Sequence, residues 1–198
     1  MHVKRTRAEQ GEATRAALIS TARRLFAERG FAGISAEEIV GAAGVTRGAL
    51  YHHFDGKPGL FRAVLEQVES ETAARFAEEA LSKPDPWGAM AAGLELFLEV
   101  CQEPEVRQIA LIDAPSVLGW TAWREVESRH SLGLIRLGLE NLIEAGITRP
   151  QPIDPLAHGI LGMLTEAGLY VASADDPDAA RAEMGQVLRG MLEGLRTT

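Results

Sequence analysis

Apolar residues recur along this chain at helical spacing almost from end to end. Leu18, Ala22, Leu25 and Phe26 stand at i, i+4, i+7 and i+8, one face of an amphipathic helix. Gly30 closes it, as a glycine does where a helix end turns left-handed. Ser35-Ala36-Glu37-Glu38 is a capping box that starts a second helix, with Ser35 as N-cap and Glu38 three residues in. Ile39, Val40 and Ala43 give this helix an inner face, Gly44 breaks it, and Val45 plugs the short turn. Thr46 caps a third, short helix over Arg47–Phe54. After the turn Asp55-Gly56-Lys57, Pro58 sits where a first helical turn tolerates proline, so a long fourth helix is expected to about Leu81.

The run Lys83-Pro84-Asp85-Pro86 is the clearest punctuation in the sequence. Beyond it the pattern predicts helices over Trp87–Gln102, Val106–Asp113 (stopped by Pro115), Trp120–Ala145, Pro155–Ser173 and Pro177–Leu195. No segment alternates with period two, and no hairpin dipeptide joins two apolar runs, so the expected fold class is all-α. Residues 1–9 and 197–198 are expected to be mobile ends.

Charge changes the picture. The 198 residues carry a net −8, which taken whole argues against a nucleic-acid binder. The split reverses that: residues 1–57 carry +3 and residues 58–198 carry −11. A basic N-terminal head on an acidic body is the asymmetry of a small DNA-binding module. The acidic body slightly disfavours anionic ligands, though solvation alone accounts for that much charge. Cys101 is the single cysteine, so no intrachain disulfide forms, and a reducing cytoplasm is the expected compartment. The N-terminus has no signal-peptide pattern, and the apolar stretch 159–171 is too short for a bilayer and carries Glu166, so no membrane association is expected.

The candidate chemistry lies in the segment from Gly30 to Phe54, a helix, a short glycine-containing turn and a second helix. This is the helix-turn-helix plan, in which the second helix enters the major groove. Gly48 and Ala49 have almost no side chain, so the start of that helix can approach DNA closely and offer its free N–H groups to phosphate. Arg47 can grip a guanine edge with two hydrogen bonds. Tyr51, His52 and His53 add phenol and imidazole donors, and Lys57 can meet a phosphate on the far side. His52 and His53 are adjacent on a helix and point about 100° apart, so they do not chelate one metal ion. Phe54 pairs with Leu50 at i, i+4 and reads as core.

The same residues carry a family resemblance. Ala22-Arg23-Arg24-Leu25-Phe26-Ala27-Glu28-Arg29-Gly30-Phe31, then Ala43-Gly44-Val45, Gly48-Ala49-Leu50-Tyr51 and His53-Phe54 followed by Lys57, resemble the DNA-binding domain of the TetR/AcrR family. The likeness covers about the first third of the chain; the remainder is similar only in length and helicity. It implies an N-terminal three-helix DNA-binding domain, residues 1–57, and a larger C-terminal helical domain, residues 58–198, for ligand binding and dimerisation. It also implies a homodimer that binds double-stranded operator DNA with an inverted repeat and is released by a small molecule. Thr46, Tyr51, His53 and Lys57 become phosphate contacts; Arg47, Gly48, Ala49 and His52 become base-facing positions. Ile34 stands where the family often has threonine, and Ala36 where a larger apolar residue is usual.

In the body, aromatic and polar residues set in apolar helices form the pool for a small-molecule pocket: Phe97, Cys101, Asp113, Trp120, Trp123, His130, Glu166 and Tyr170. Plain core packing explains any one of them equally well, and Cys101 reads first as a small buried hydrophobe. The last helix carries an apolar stripe wider than one intrachain contact needs, and glycines in the helix before it allow close approach. The resemblance places the dimer interface on these two helices, with Leu156, Gly159, Met163, Met184, Leu188, Met191 and Leu195 as its residues. No cofactor and no metal is expected. Two other functions compete: a DNA-binding regulator without small-molecule input, and an enzyme. Ser116, Asp113 and His130 name a triad on paper, yet no strand leads into a glycine-flanked nucleophile turn, and no phosphate loop or metal-ligand spacing occurs.

Overall fold

The computed structural model describes residues 6–197. They form helices α1 (Arg7–Arg29), α2 (Ala36–Ala43), α3 (Arg47–His53), α4 (Gly56–Leu81), α5 (Pro86–Val100), α6 (Pro104–Val106), α7 (Ala114–Leu118), α8 (Trp120–Glu144), α9 (Ile153–Ser173) and α10 (Pro177–Glu193). Between α6 and α7 the residues Arg107–Asp113 wind as a π-helix. The only β pairing among the described residues is an isolated bridge between Thr148 and Arg196, which with Thr197 N–H on the Ile147 carbonyl ties down the C-terminal end. The all-α class is therefore as expected.

Most helix ends fall within two residues of the expectation, and two differences have a clear physical cause. Helix α1 begins at Arg7, inside the stretch expected to be mobile, because Thr6 and Glu9 form a reciprocal capping box. Residues 1–5 and 198 lie outside the described residues. Pro115 does not stop its helix; Gly119, at φ 75°, does. A proline in a helix removes one N–H and crowds the preceding turn, and the wider π-helical winding directly before Pro115 accommodates that register change.

Helices α1 to α4 enclose a dry core of Leu18, Phe26, Ile39, Leu50, Leu60 and Phe61. The same apolar cluster continues through Val106, Ile109 and Ala114 to Trp123 and Val126. Head and body thus share one core. The expected boundary after residue 57 falls in the first turn of α4, which runs on unbroken into the body. Ion pairs reinforce the joint: Arg23 is gripped by Glu105 at 2.6 Å and by Glu71 at 2.6 Å, both partly shielded from water. In the body, α4 packs against α5 and α8, α9 against α8, and α10 against α9 and α5, with smaller apolar clusters centred on Leu94, Leu98 and Leu188 and on Leu132, Leu139 and Leu161.

Candidate DNA-binding and ligand-binding sites

The α2–turn–α3 unit is fixed by local chemistry. Ser35 Oγ accepts the Glu38 N–H while Ser35 N–H donates back to Glu38 at 2.8 Å. These Ser35 bonds, with Arg29 adding its charge, hold the Glu38 carboxyl down to about 2. Gly44 supplies the left-handed residue, φ 67° and ψ 28°, that ends α2. Thr46 Oγ1 accepts the Ala49 N–H at 3.2 Å and starts α3. Leu50 and Ile39 are buried between the two helices, so the remaining face of α3 is set outward.

That outward face carries Arg47, Gly48, Tyr51 and His52, all exposed, with Ala49 and His53 half-buried at its edges. A Cβ added at Gly48 would meet only Thr46 Oγ1 at 3.8 Å, so the start of α3 is open to a large partner. Arg47 lies over the Tyr51 ring, 5.6 Å from its centroid, and pairs with Glu37 at 2.7 Å. Both ends of that pair are exposed, so it is cheap to exchange for a guanine or a phosphate.

Lys57 is placed differently from the expectation. It is partly buried, its Nζ donates to the Phe31 carbonyl at 2.6 Å, and it sits 3.8 Å over the Phe31 ring. Partial burial lowers its pKa. Lys57 is therefore engaged within the chain, on the loop between α1 and α2.

The expected pocket residues scatter. Phe97 and Cys101 line a body cavity of about 580 Å³ walled by α4, α5, α8, α9 and α10 and open to solvent at a rim that includes Leu81, Leu137 and Met191. Asp113 does not: its Oδ2 accepts the Phe31 N–H at 2.7 Å, across the joint between head and body. Gly30 makes that approach possible, since it takes φ 68° and a Cβ there would stand 3.1 Å from Gln108 Nε2. Trp123 is buried in the shared core, and Trp120 packs edge to face on it, 5.2 Å away, while remaining mostly exposed. His130 Nε2 bonds Glu66 at 2.9 Å. Glu166 and Tyr170 lie on the exposed face of α9.

The expected interface residues also move. Leu188 is 1% exposed and packs on Leu94, Leu98 and Ala167, whereas its neighbour Val187 is 52% exposed. Met184, Leu156 and Met163 pack against the same inner clusters. Leu156, Gly159, Met163, Leu188, Met191 and Leu195 all contribute to the cavity wall; Gly159 and Met191 are also exposed. The outer stripe of α10 is Ala182, Val187, Gly190 and Met191, with Gly194 as its C-cap, and that of α9 includes Gly159, Glu166 and Tyr170, so only Gly159 and Met191 of the expected interface residues face fully outward. Sequence reasoning missed Glu69 altogether. It lines the cavity from α4, and burial and the neighbouring carboxylates of Glu127 and Glu66 push its pKa up to about 7.

An outward α3 on a dry three-helix head, continuous through one long helix with a hollow helical body, defines a helix-turn-helix DNA-binding regulator. Residues 18–64 match the bacterial regulatory proteins of the tetR family, and residues 87–195 match the tetracyclin repressor-like C-terminal domain. The chain is similar to the HTH-type transcriptional regulator UidR of Escherichia coli K12, 35% identical over 95% of each chain. It superposes on a TetR-family transcriptional regulator from Pectobacterium atrosepticum with a TM-score of 0.89 and 37% identity, covering 98% of this chain and 99% of the other. RolR in complex with resorcinol is more distant, at 25% identity and a TM-score of 0.73 over 96% of this chain and 95% of RolR. The protein belongs to the TetR family of transcriptional regulators.

Proposed function

We propose that the protein is a cytoplasmic repressor, released from a palindromic operator by a small molecule bound in the body cavity. The observation that carries this is the cavity: about 580 Å³ of mostly apolar lining at the centre of the body, a size and character suited to a small organic ligand. RolR, similar along its length, takes resorcinol, and this supports a small-molecule input here. The route to the DNA is α4. Its first half, with Leu60, Phe61 and Val64, is part of the head core, and its second half, with Glu69, Thr72 and Phe76, is cavity wall. A second tie is the bond from Phe31 N–H to Asp113, which links the head to the π-helical segment. A ligand that prefers a tilted α4 changes the distance between the two recognition helices of a dimer, and half-sites one turn apart tolerate little change.

The dimer is assigned to the exposed faces of α9 and α10. Small residues there, Gly159, Ala182, Gly190 and Gly194, let helices approach closely, and Val187, Met191 and Tyr170 supply apolar contact. Val187→Glu is expected to give a folded monomer that loses operator binding, because a charge at the centre of a dry interface costs several kcal/mol. Sedimentation and operator titration measure both. A dimeric, operator-competent Val187→Glu protein removes the interface.

The test of the main reading is reciprocal. Apolar and amphipathic compounds are screened by thermal shift, and each hit is titrated with and without operator. Linkage requires that the ligand weaken operator binding by the same factor that operator weakens the ligand. A compound that fills the cavity and leaves operator affinity unchanged defeats the reading.

A further inference from the structure

The cavity wall contains one carboxyl group that the protein leaves unanswered among the described residues. Three carboxylates gather where α4 faces α8: Glu66, Glu69 and Glu127. Glu66 is met by His130 at 2.9 Å and by Arg129 at 2.5 Å. Glu127 is met by Arg124 at 2.5 Å and by the Thr165 hydroxyl. Glu69 has neither a hydrogen bond nor an ion pair among the described residues, although it is almost wholly enclosed by protein atoms. The small surface it still presents belongs to the cavity wall. An unpaired polar group inside a protein carries an uncompensated desolvation cost, and a ligand group is a natural partner for it.

The sign of the local field selects that partner. From α4 and α8, Glu66 and Glu127 act on Glu69 in the sense that disfavours its ionisation. At the C-cap of α5, Cys101 shares the cavity wall, and its thiol is pushed up to about 12 by burial and then by Glu69, Glu103 and Glu127. The basic side chains by this wall, Arg124, Arg129 and His130, are engaged by Glu127 and Glu66. Thr165 on α9 is occupied by Glu127 and by the Leu161 carbonyl, and α10 presents only apolar side chains to the space, Leu188, Met191, Leu192 and Leu195. An anion would meet this field with no cation to balance it, only the neutral donors of Thr72, Ser131 and Asn141.

We propose that the cavity selects an amphipathic cation, an apolar body carrying one protonated amine, and that Glu69 is the residue that pairs with the amine. The proposal rests on the ligand-responsive reading above and names its ligand class. It also gives that reading a point of purchase, since Glu69 stands on α4 next to Val68, which belongs to the core shared with the head. Pairing requires the ionised carboxylate. Amine affinity therefore rises with pH through about 7, as Glu69 loses its proton, and binding at neutral pH releases part of a proton to the buffer.

The test uses three probes with one chain and different heads: decylamine, decanol and decanoate, each titrated calorimetrically into wild type and Glu69→Gln. In wild type, decylamine is expected to bind about tenfold or more tighter than decanol, the size of one charge-assisted bond in a dry site, with decanoate weakest. In Glu69→Gln, decylamine should fall to within about twofold of decanol while decanol itself is unchanged, which also shows that the variant is folded. Decanoate binding tightest, an amine preference that survives Glu69→Gln, or no binding by any of the three overturns the proposal. Decanol and decylamine that both bind without weakening operator leave the charge preference standing and defeat the repressor reading instead.

Discussion

In the head, Phe26, Phe31 and Phe61 meet with ring centroids 5.2, 5.3 and 5.7 Å apart, each ring in contact with the other two. In the body, helices of similar length stand off around about 580 Å³. The two regions share one chain and one continuous apolar cluster, yet one is packed to closure and the other is hollow. The difference follows from task. A recognition helix must be held in one geometry to read a groove, whereas a sensing domain must leave room for something else to complete its core. A ligand that fills the body cavity would add its binding free energy to the stability of the folded chain.

Phe61→Ala against Phe97→Ala is the sharpest test of that contrast. Phe61 is fully buried with aromatic partners on two sides, so its removal is expected to cost about 3–5 kcal/mol. Phe97 is half-buried, with part of its surface on the cavity, so its removal should cost about 1–1.5 kcal/mol while changing ligand affinity. Denaturant melts of both variants measure this. Equal losses would mean that the body is as tightly closed as the head.

The contrast extends to pH. Glu69 has its pKa raised from 4.5 to about 7 in the folded state, first by burial and then by Glu127 and Glu66. A carboxyl raised by folding binds its proton more tightly in the native chain, so stability falls as pH rises between about 4.5 and about 7 and stays lower above that. The full penalty is up to about 3 kcal/mol, and Glu69→Gln should remove it. Wild type and variant should therefore converge at the acid end of that window and separate in favour of the variant above it. Parallel stability profiles across the window would show that Glu69 is solvated.

How far the sequence could be read divides along the same line. The head was legible because its signals are local: the Ser35–Glu38 box, Thr46 before Arg47, and Gly30 and Gly44 at helix ends. The Thr6–Glu9 box is the same signal and was present to be read. The body was less legible because its decisions are not local. Met184, Val187, Leu188, Met191, Leu192 and Leu195 form so broad an apolar stripe that only packing against α5 and α9 tells which half faces in. Glu69 lies in a Glu- and Gln-rich stretch of α4 that reads as a solvated face, and nothing in its neighbours announces a hollow opposite it. Asp113 was recognised as polar in an apolar context, but its partner, the Phe31 N–H, is 82 residues away.

The smallest effects separate two basic residues of the head that composition treats as equivalent. Arg47 is exposed, with its guanidinium held by Glu37 and Tyr51; Lys57 is turned inward onto Phe31. Arg47→Ala is expected to cost about 1–3 kcal/mol of operator binding and to relax preference at one base per half-site. Its loss on random DNA should be smaller, because a base contact is specific and a phosphate contact is not. Lys57→Ala should act on the fold instead. It leaves the Phe31 carbonyl without its donor, a cost of about 1–3 kcal/mol in unfolding free energy, and loosens the loop that Asp113 holds from the other side. With Lys57 already engaged inside the chain, the salt dependence of operator binding should keep its slope when Lys57 is removed. A phosphate-contacting lysine would lower that slope by about one per site. Binding isotherms over a salt series decide between the two: a reduced slope for Lys57→Ala returns this lysine to the DNA interface, and an unchanged slope with a lower unfolding midpoint keeps it as the pin of the α1–α2 loop.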